Sequence, residues 1–180
     1  DPDIREPLLQ LLKPAITVTE FTVDGARVDV VAITQTDLIA YEIKSDVDTH
    51  YRLEGQAEAY DKVCTLMYLV TTEKKLAKML PILPPLWGVL LAHETKTGLK
   101  FREYRDARPN PAWNLLDALK LLWTPELTHV MVANGLPTRE TKAKAIRCKR
   151  IASSLPNAKE AWLKQLMLRY TNHPELRGNG

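Results

Sequence analysis

Cysteine, glycine and long apolar runs are all scarce in this chain, and each shortage excludes something. Its 180 residues include only Cys64 and Cys148, too few for a disulfide framework or a cysteine-rich zinc site. The two suit a reducing compartment as small buried hydrophobes, so a cytoplasmic location is expected. The longest apolar run, over 81–91, is broken by Pro81, Pro84 and Pro85 and falls short of the ~18 residues that span a bilayer. No membrane partner is expected. No charged-then-apolar segment opens the chain, and its start at Asp1 rather than methionine leaves open what precedes it. The seven glycines compose no Gly-x-Ser-x-Gly elbow, phosphate loop or dinucleotide fingerprint. His50, His93, His129 and His173 are scattered, and none pairs with a second ligand at metal spacing.

What is present suits one compact domain, with 45% hydrophobic and 26% charged residues. The formal net charge is +3, unevenly spread. Residues 139–180 carry ten Lys/Arg against three Glu, whereas 1–138 carry 15 basic and 19 acidic residues. That asymmetry points to a polyanion partner for the C-terminal part, with a merely solvated helix face as the plainer alternative.

Periodicity divides the chain in the same way. Asp3–Lys13 reads as a short helix stopped by Pro14. Strands follow over Ile16–Val23, Ala26–Ile33 and Leu38–Lys44, the first two joined by the tight-turn pair Asp24-Gly25. Residues 52–63 read as a helix, Leu66–Thr71 as a strand, Glu73–Leu80 as a helix, and Leu86–Ala92 with Leu99–Tyr104 as a hairpin. Beyond Pro109 and Pro111 only helices are expected: Trp113–Trp123, Pro125–Asn134 capped by Thr124 and stopped by Gly135, Arg139–Ser153 capped by Thr138, and Ala158–Tyr170. The expected class is α/β, an αβββαβ core with a mixed sheet over 1–110 and an all-helical, basic unit over 111–180.

Three apolar strands should not spend inward positions on charge. Yet Arg27 and Asp29 share a face of the second strand with Val31 and Ile33, and Glu42 and Lys44 share a face of the third. Asp29 and Glu42 fall on adjacent antiparallel strands and can converge. Two such carboxylates need a proton, a cation or a metal between them. Hard oxygen ligands of this kind suit Mg2+ or Mn2+, with Lys44 placed to position or deprotonate water and offset phosphate charge. An ordinary same-face ion pair between Glu42 and Lys44 is the bland alternative. A third oddity is Gln56, in the helical stripe Leu53, Gln56, Ala57, Tyr60 and Val63. A core-facing glutamine needs hydrogen-bond partners, which a charged cluster next door supplies; a helix rotated toward solvent is the alternative.

Val28-Asp29, Glu42-Ile43-Lys44 and Gln56-x-x-x-Tyr60 together resemble the PD-(D/E)XK nuclease superfamily, with Val28 at the position of the proline. The string Tyr41-Glu42-Ile43-Lys44-Ser45-Asp46-Val47-Asp48-Thr49, with Arg52, Leu53 and Gln56, is similar to a narrower family of bacterial and phage proteins of mostly unassigned function. Those proteins also share Leu-Leu-Trp-x-x-Glu-Leu, here Leu121–Leu127. The resemblance implies a restriction-endonuclease-like core and a metal-dependent nuclease. Asp29, Glu42 and the Ile43 carbonyl are then metal ligands, joined by Glu20, for which pairing with Arg27 is the alternative. Lys44 is the catalytic lysine and Gln56 belongs to the catalytic set. Tyr60 supports Gln56 from the same helix, and Tyr60 and Arg52 are counted among the groups that meet nucleic acid, an Asp48–Arg52 surface pair being the alternative for Arg52. Because duplex cutters of this type often need two active sites, the resemblance allows a homodimer.

Residues 124–153, around Gly135-Leu136-Pro137-Thr138-Arg139, resemble SAP-type helix–loop–helix DNA-binding motifs. The likeness implies backbone-phosphate contacts from the loop and helix start, aided by Arg139, Lys142 and Arg147. Helices that simply pack on the core are the alternative. The expected function is a Mg2+- or Mn2+-dependent nuclease, on DNA ahead of RNA; the alternative is a non-catalytic nucleic-acid- or partner-binding module on the same scaffold.

Overall fold

The computed structural model describes residues 2–45, 58–139 and 143–178. The chain opens with helix α1, Pro2–Leu11, followed by strands β1 (Ile16–Val23), β2 (Ala26–Ile33) and β3 (Leu38–Lys44). Asp24 and Gly25, at φ 46° and 81°, make the turn between β1 and β2; a two-residue hairpin of matching twist needs both at positive φ. A helical stretch at 58–61 leads into β4 (Leu66–Thr72) and α2 (Glu73–Met79). The hairpin β5 (Gly88–Thr95) and β6 (Gly98–Arg105) is longer than the pattern of apolar residues implies, because its exposed tip alternates polar residues.

The six strands form one mixed sheet in the order β1-β2-β3-β4-β5-β6. β3, β4 and β5 run parallel, and the other neighbours are antiparallel. Ile4 and Leu8 of α1 cover one face, against Val30, Ala32, Tyr41 and Ile43. The other face, with Val31, Ile33, Leu38 and Ala40, is covered by the C-terminal helices. These are α3 (Leu115–Lys120), α4 (Thr124–Ala133), α5 (Lys144–Ser154) and α6 (Lys159–Asn172), closed by a 3-10 turn at Pro174–Arg177. The expected α/β class, with a mixed sheet and a helical C-terminal part, is therefore the architecture. One apolar cluster runs from Val18 and Phe21 of β1 to Trp162 and Leu166 of α6, so residue 110 divides textures while the core continues across it. No helix among the described residues is long and apolar enough to cross a membrane.

Several helix ends differ from expectation. α3 is trimmed to Leu115–Lys120 because Asn114 caps it, accepting the Asp117 N–H. In α4 the cap position falls on Trp123, whose N–H donates to Glu126 Oε2 at 2.6 Å. Gly135 stops α4 at φ 69° as expected. α5 starts at Lys144, not Arg139, and its cap position is Ala143, without a side-chain cap bond. Residues 140–142, including Lys142, lie outside the described residues.

Candidate functional site

The ladder between β2 and β3 gives way beside Asp29. β2 and β3 pair from Ile33–Leu38 up to Val30–Tyr41. One step further along β2, the Asp29 carboxylate Oδ2 accepts the Ile43 N–H at 2.8 Å, standing where a ladder carbonyl would be. On the β1 side, the register passes from Thr19–Val30 to Phe21–Val28, skipping Glu20 and Asp29. Glu20 there has φ 55°, an uncommon conformation for a residue with a Cβ.

This irregularity corrects the expected parity of β2. Val28 joins the same apolar cluster as Val31 and Ile33, and Asp29 turns into the seam between strands. Glu42 still lies within electrostatic reach of Asp29. Glu42 is 2% exposed, and Lys44 Nζ donates to its Oε1 at 2.6 Å. Burial, and then the charge of Asp29, push the Glu42 carboxyl up to about 7, against the pull of Lys44 as a nearby charge and hydrogen-bond donor.

Tyr60 is corrected from nucleic-acid contact to support. It is fully buried and donates its hydroxyl to the Arg27 carbonyl at 2.6 Å. Burial and the charges of Glu42 and Asp29 hold the phenol well above its ordinary range, so it stays a neutral donor. Gln56 and Arg52 lie outside the described residues.

Glu20 is gripped by two guanidiniums, Arg5 at 2.7 Å and Arg27 at 2.6 Å. It therefore pairs as the Arg27 alternative has it, and Arg5 extends toward Asp29 at 3.9 Å. Among the described residues, no three His, Cys, Asp or Glu side chains gather as a ligand set, so Glu20 does not complete one with Asp29 and Glu42. Arg5 was not singled out from the sequence. Its signal was an arginine beside the buried Ile4 and three positions before the buried Leu8, on the core-facing side of the helix.

The donor chemistry fits a hard divalent cation. Asp29 lies within electrostatic reach of buried Glu42, whose carboxyl resists ionisation; a cation held between them would offset both the burial and the repulsion. A consequence is measurable without metal. Glu42 binds its proton more tightly folded, at about 7, than unfolded, near 4.5. The stability this brings is present below about pH 4.5 and is lost as pH rises through 7. The loss amounts to on the order of 3 kcal/mol. Thermal melts in EDTA should fall over that window, and Glu42→Gln should flatten the fall; an equal slope in the variant would remove Glu42 as its source.

In the helical part, many of the cations are already engaged. Arg147 donates to Thr128 Oγ1, Arg150 to the Pro137 carbonyl, Arg177 to the Tyr170 carbonyl, and Lys159 approaches Asp37 at 3.4 Å. Arg139, Lys144, Lys149 and Lys164 are exposed. The family model for bacteriophage P4 protein cII matches residues 8–176. The chain belongs to that family. Searches of curated proteins and of solved structures give no match. The cII family match runs from α1 to the final 3-10 turn, and so takes in both the sheet and the helices.

Within this cII family chain, Leu121–Leu127 has an architectural role. Arg169, 8% exposed, donates to the Leu121 carbonyl at 2.9 Å and grips Glu126 through both Nε and Nη2. Its guanidinium lies 4.4 Å from the centroid of the Trp123 ring. Burial works against that charge, but Glu126 outweighs it and holds Arg169 above its ordinary value. Leu122 and Leu127 are fully buried. Each named residue of the motif thus either fills the core or holds α6 to α4.

Proposed function

We propose that the chain is a divalent-metal-dependent nuclease acting on DNA, with a site of the PD-(D/E)XK kind. The observation that carries the reading is the placing of Asp29 in the seam at the Ile43 N–H, with buried Glu42 on the residue before Ile43 and Lys44 bonded to Glu42. Asp29 and Glu42 are the residues to hold Mg2+ or Mn2+, with the Ile43 carbonyl on the same strand. Such a cation supplies Lewis acidity toward a phosphodiester. Lys44 orients Glu42 through its hydrogen bond and adds positive charge where a phosphoryl transition state gathers negative charge. Tyr60, tied to the Arg27 carbonyl, steadies β2 two residues before Asp29. The exposed cations Arg139, Lys144 and Lys149 suit phosphate contact without base reading, and such binding weakens steeply with salt.

Incubation of purified protein with Mn2+ and supercoiled, linear and single-stranded DNA tests this reading. Metal-dependent cleavage of at least one form is expected, and no cleavage of any form by protein that binds Mn2+ would sink it. A second reading, a binding module on a nuclease-like scaffold, draws on Arg5 and Lys44, two cations already set against the carboxylates. It expects no Mn2+-dependent thermal shift, whereas a working site should be stabilised by saturating metal.

A further inference from the structure

Helices α4 and α6 leave a groove between them that the carboxylate pair does not use. Its larger part, a cleft of about 560 Å3, has Ala133, Ala158 and Ala161 in its walls and Asn157, Glu160 and Lys164 among its polar groups. A smaller hollow of about 280 Å3 adjoins it, since His129 and Gln165 line both, and Trp123 borders the hollow.

Gln165 is the unexpected residue. It is only 7% exposed and lines both hollows, and no hydrogen bond to a described residue holds its side-chain amide. The amide is not one of the buried groups left unpartnered, so the little surface Gln165 keeps includes its polar end, and leucine at such a position would be tolerated. Facing a cleft, the amide has a use when a ligand replaces water as its donor and acceptor. Trp123 is the second, independent observation. It is 46% exposed, with the Arg169 guanidinium over its ring and His173 at 6.2 Å between centroids.

We propose that this groove binds single-stranded nucleic acid, one base entering the larger cleft against Gln165 and a neighbouring base stacking on Trp123. A glutamine amide presents a donor and an acceptor side by side, the complement of the adenine N6/N7 edge. The alanine-rich walls admit a flat ring, and the volume lies within the range of ligand pockets. Lys164, next to Gln165 on α6, supplies a cation for phosphate. Glu160 offers an acceptor for an exocyclic amine, so the charged groups of the cleft balance. A balanced lining suits the reading of bases, and the exposed indole supplies a stacking platform tolerant of any base. A peptide segment is the competing occupant; an indole and an amide in adjoining hollows answer better to a chain of regularly spaced flat bases. The site is separate from the Asp29–Glu42 pair and does not rest on its chemistry.

The test uses the full chain in EDTA, so that cleavage plays no part. Labelled oligo-dA and oligo-dT strands of about twelve nucleotides are titrated by fluorescence anisotropy, with a duplex as control. Wild type should bind the single strands more tightly than the duplex and prefer dA. Gln165→Leu should weaken dA binding roughly tenfold and erase that preference, while melting no lower than wild type. Trp123→Ala should weaken both strands about five- to a hundredfold, compared at a temperature where both proteins are folded. Unchanged dA affinity in Gln165→Leu overturns the proposal. So does a lowered melting temperature in that variant, which would make Gln165 a packing residue. Failure of wild type to bind either strand would leave the groove to a peptide, and the proposal would be wrong.

Discussion

Asp29→Asn, Glu42→Gln and Lys44→Met should each lower Mn2+-dependent DNA cleavage about a hundredfold or more. The substitutions are chosen to keep shape. An asparagine oxygen can still take the Ile43 N–H that Asp29 accepts, and a glutamine oxygen can still take the Lys44 ammonium. The folded protein should therefore survive, and Glu42→Gln should melt higher than wild type above pH 7, because it removes a carboxylate that burial and Asp29 both oppose. Cleavage that persists in all three variants would place the activity elsewhere or in a contaminant. Cleavage lost only in Lys44→Met would leave Asp29 and Glu42 without the metal-holding role assigned to them.

The second large effect concerns stability alone. Glu126→Gln or Arg169→Met breaks a buried pair and leaves the other charge uncompensated, at a cost of about 3–5 kcal/mol. For a chain of this length that lowers the melting temperature by roughly 10 °C. Combining Arg169→Met with Glu126→Leu should recover much of the loss, since neither partner then remains as an isolated charge. The specific activity of the folded fraction should not change in any of these variants. A catalytic defect at full folding would contradict the architectural role given to Leu121–Leu127.

The strands β1 to β3 were legible to the residue, because alternation, the Asp24-Gly25 turn and the polar gap at 34–37 all agree. The pairing of Glu42 with Lys44 followed from the two-residue period of one strand. The neighbourhood of Asp29 was legible but its turn into the seam between strands was not, since the parity argument presumes an unbroken strand. The positive φ of Glu20 and the skipped pair beside it could not be seen in the alternation of apolar residues. Arg5 was hidden for a different reason. It reaches Glu20 from a helix on the opposite side of the sheet from α6, through a contact fifteen positions apart. The bond between Arg169 and Glu126 spans 43 positions, and local pattern carries no trace of it. The same contact explains why net charge overstated the basic surface: Arg169 counts in the excess of 139–180 but is buried against a carboxylate. The start of α5 was read five residues early because Thr138 and Arg139 look like a cap and first turn, whereas α5 begins at Lys144 with Ala143 in the cap position.

The central claim is that Asp29 and Glu42 together hold one divalent cation. Crystals grown in Mn2+ at pH 8, above the raised value of Glu42, allow this to be tested by anomalous scattering. One peak shared by the Asp29 and Glu42 carboxylates and the Ile43 carbonyl is expected, and it should vanish in Glu42→Gln. An empty seam at saturating Mn2+, with Lys44 still bonded to Glu42, would contradict the account.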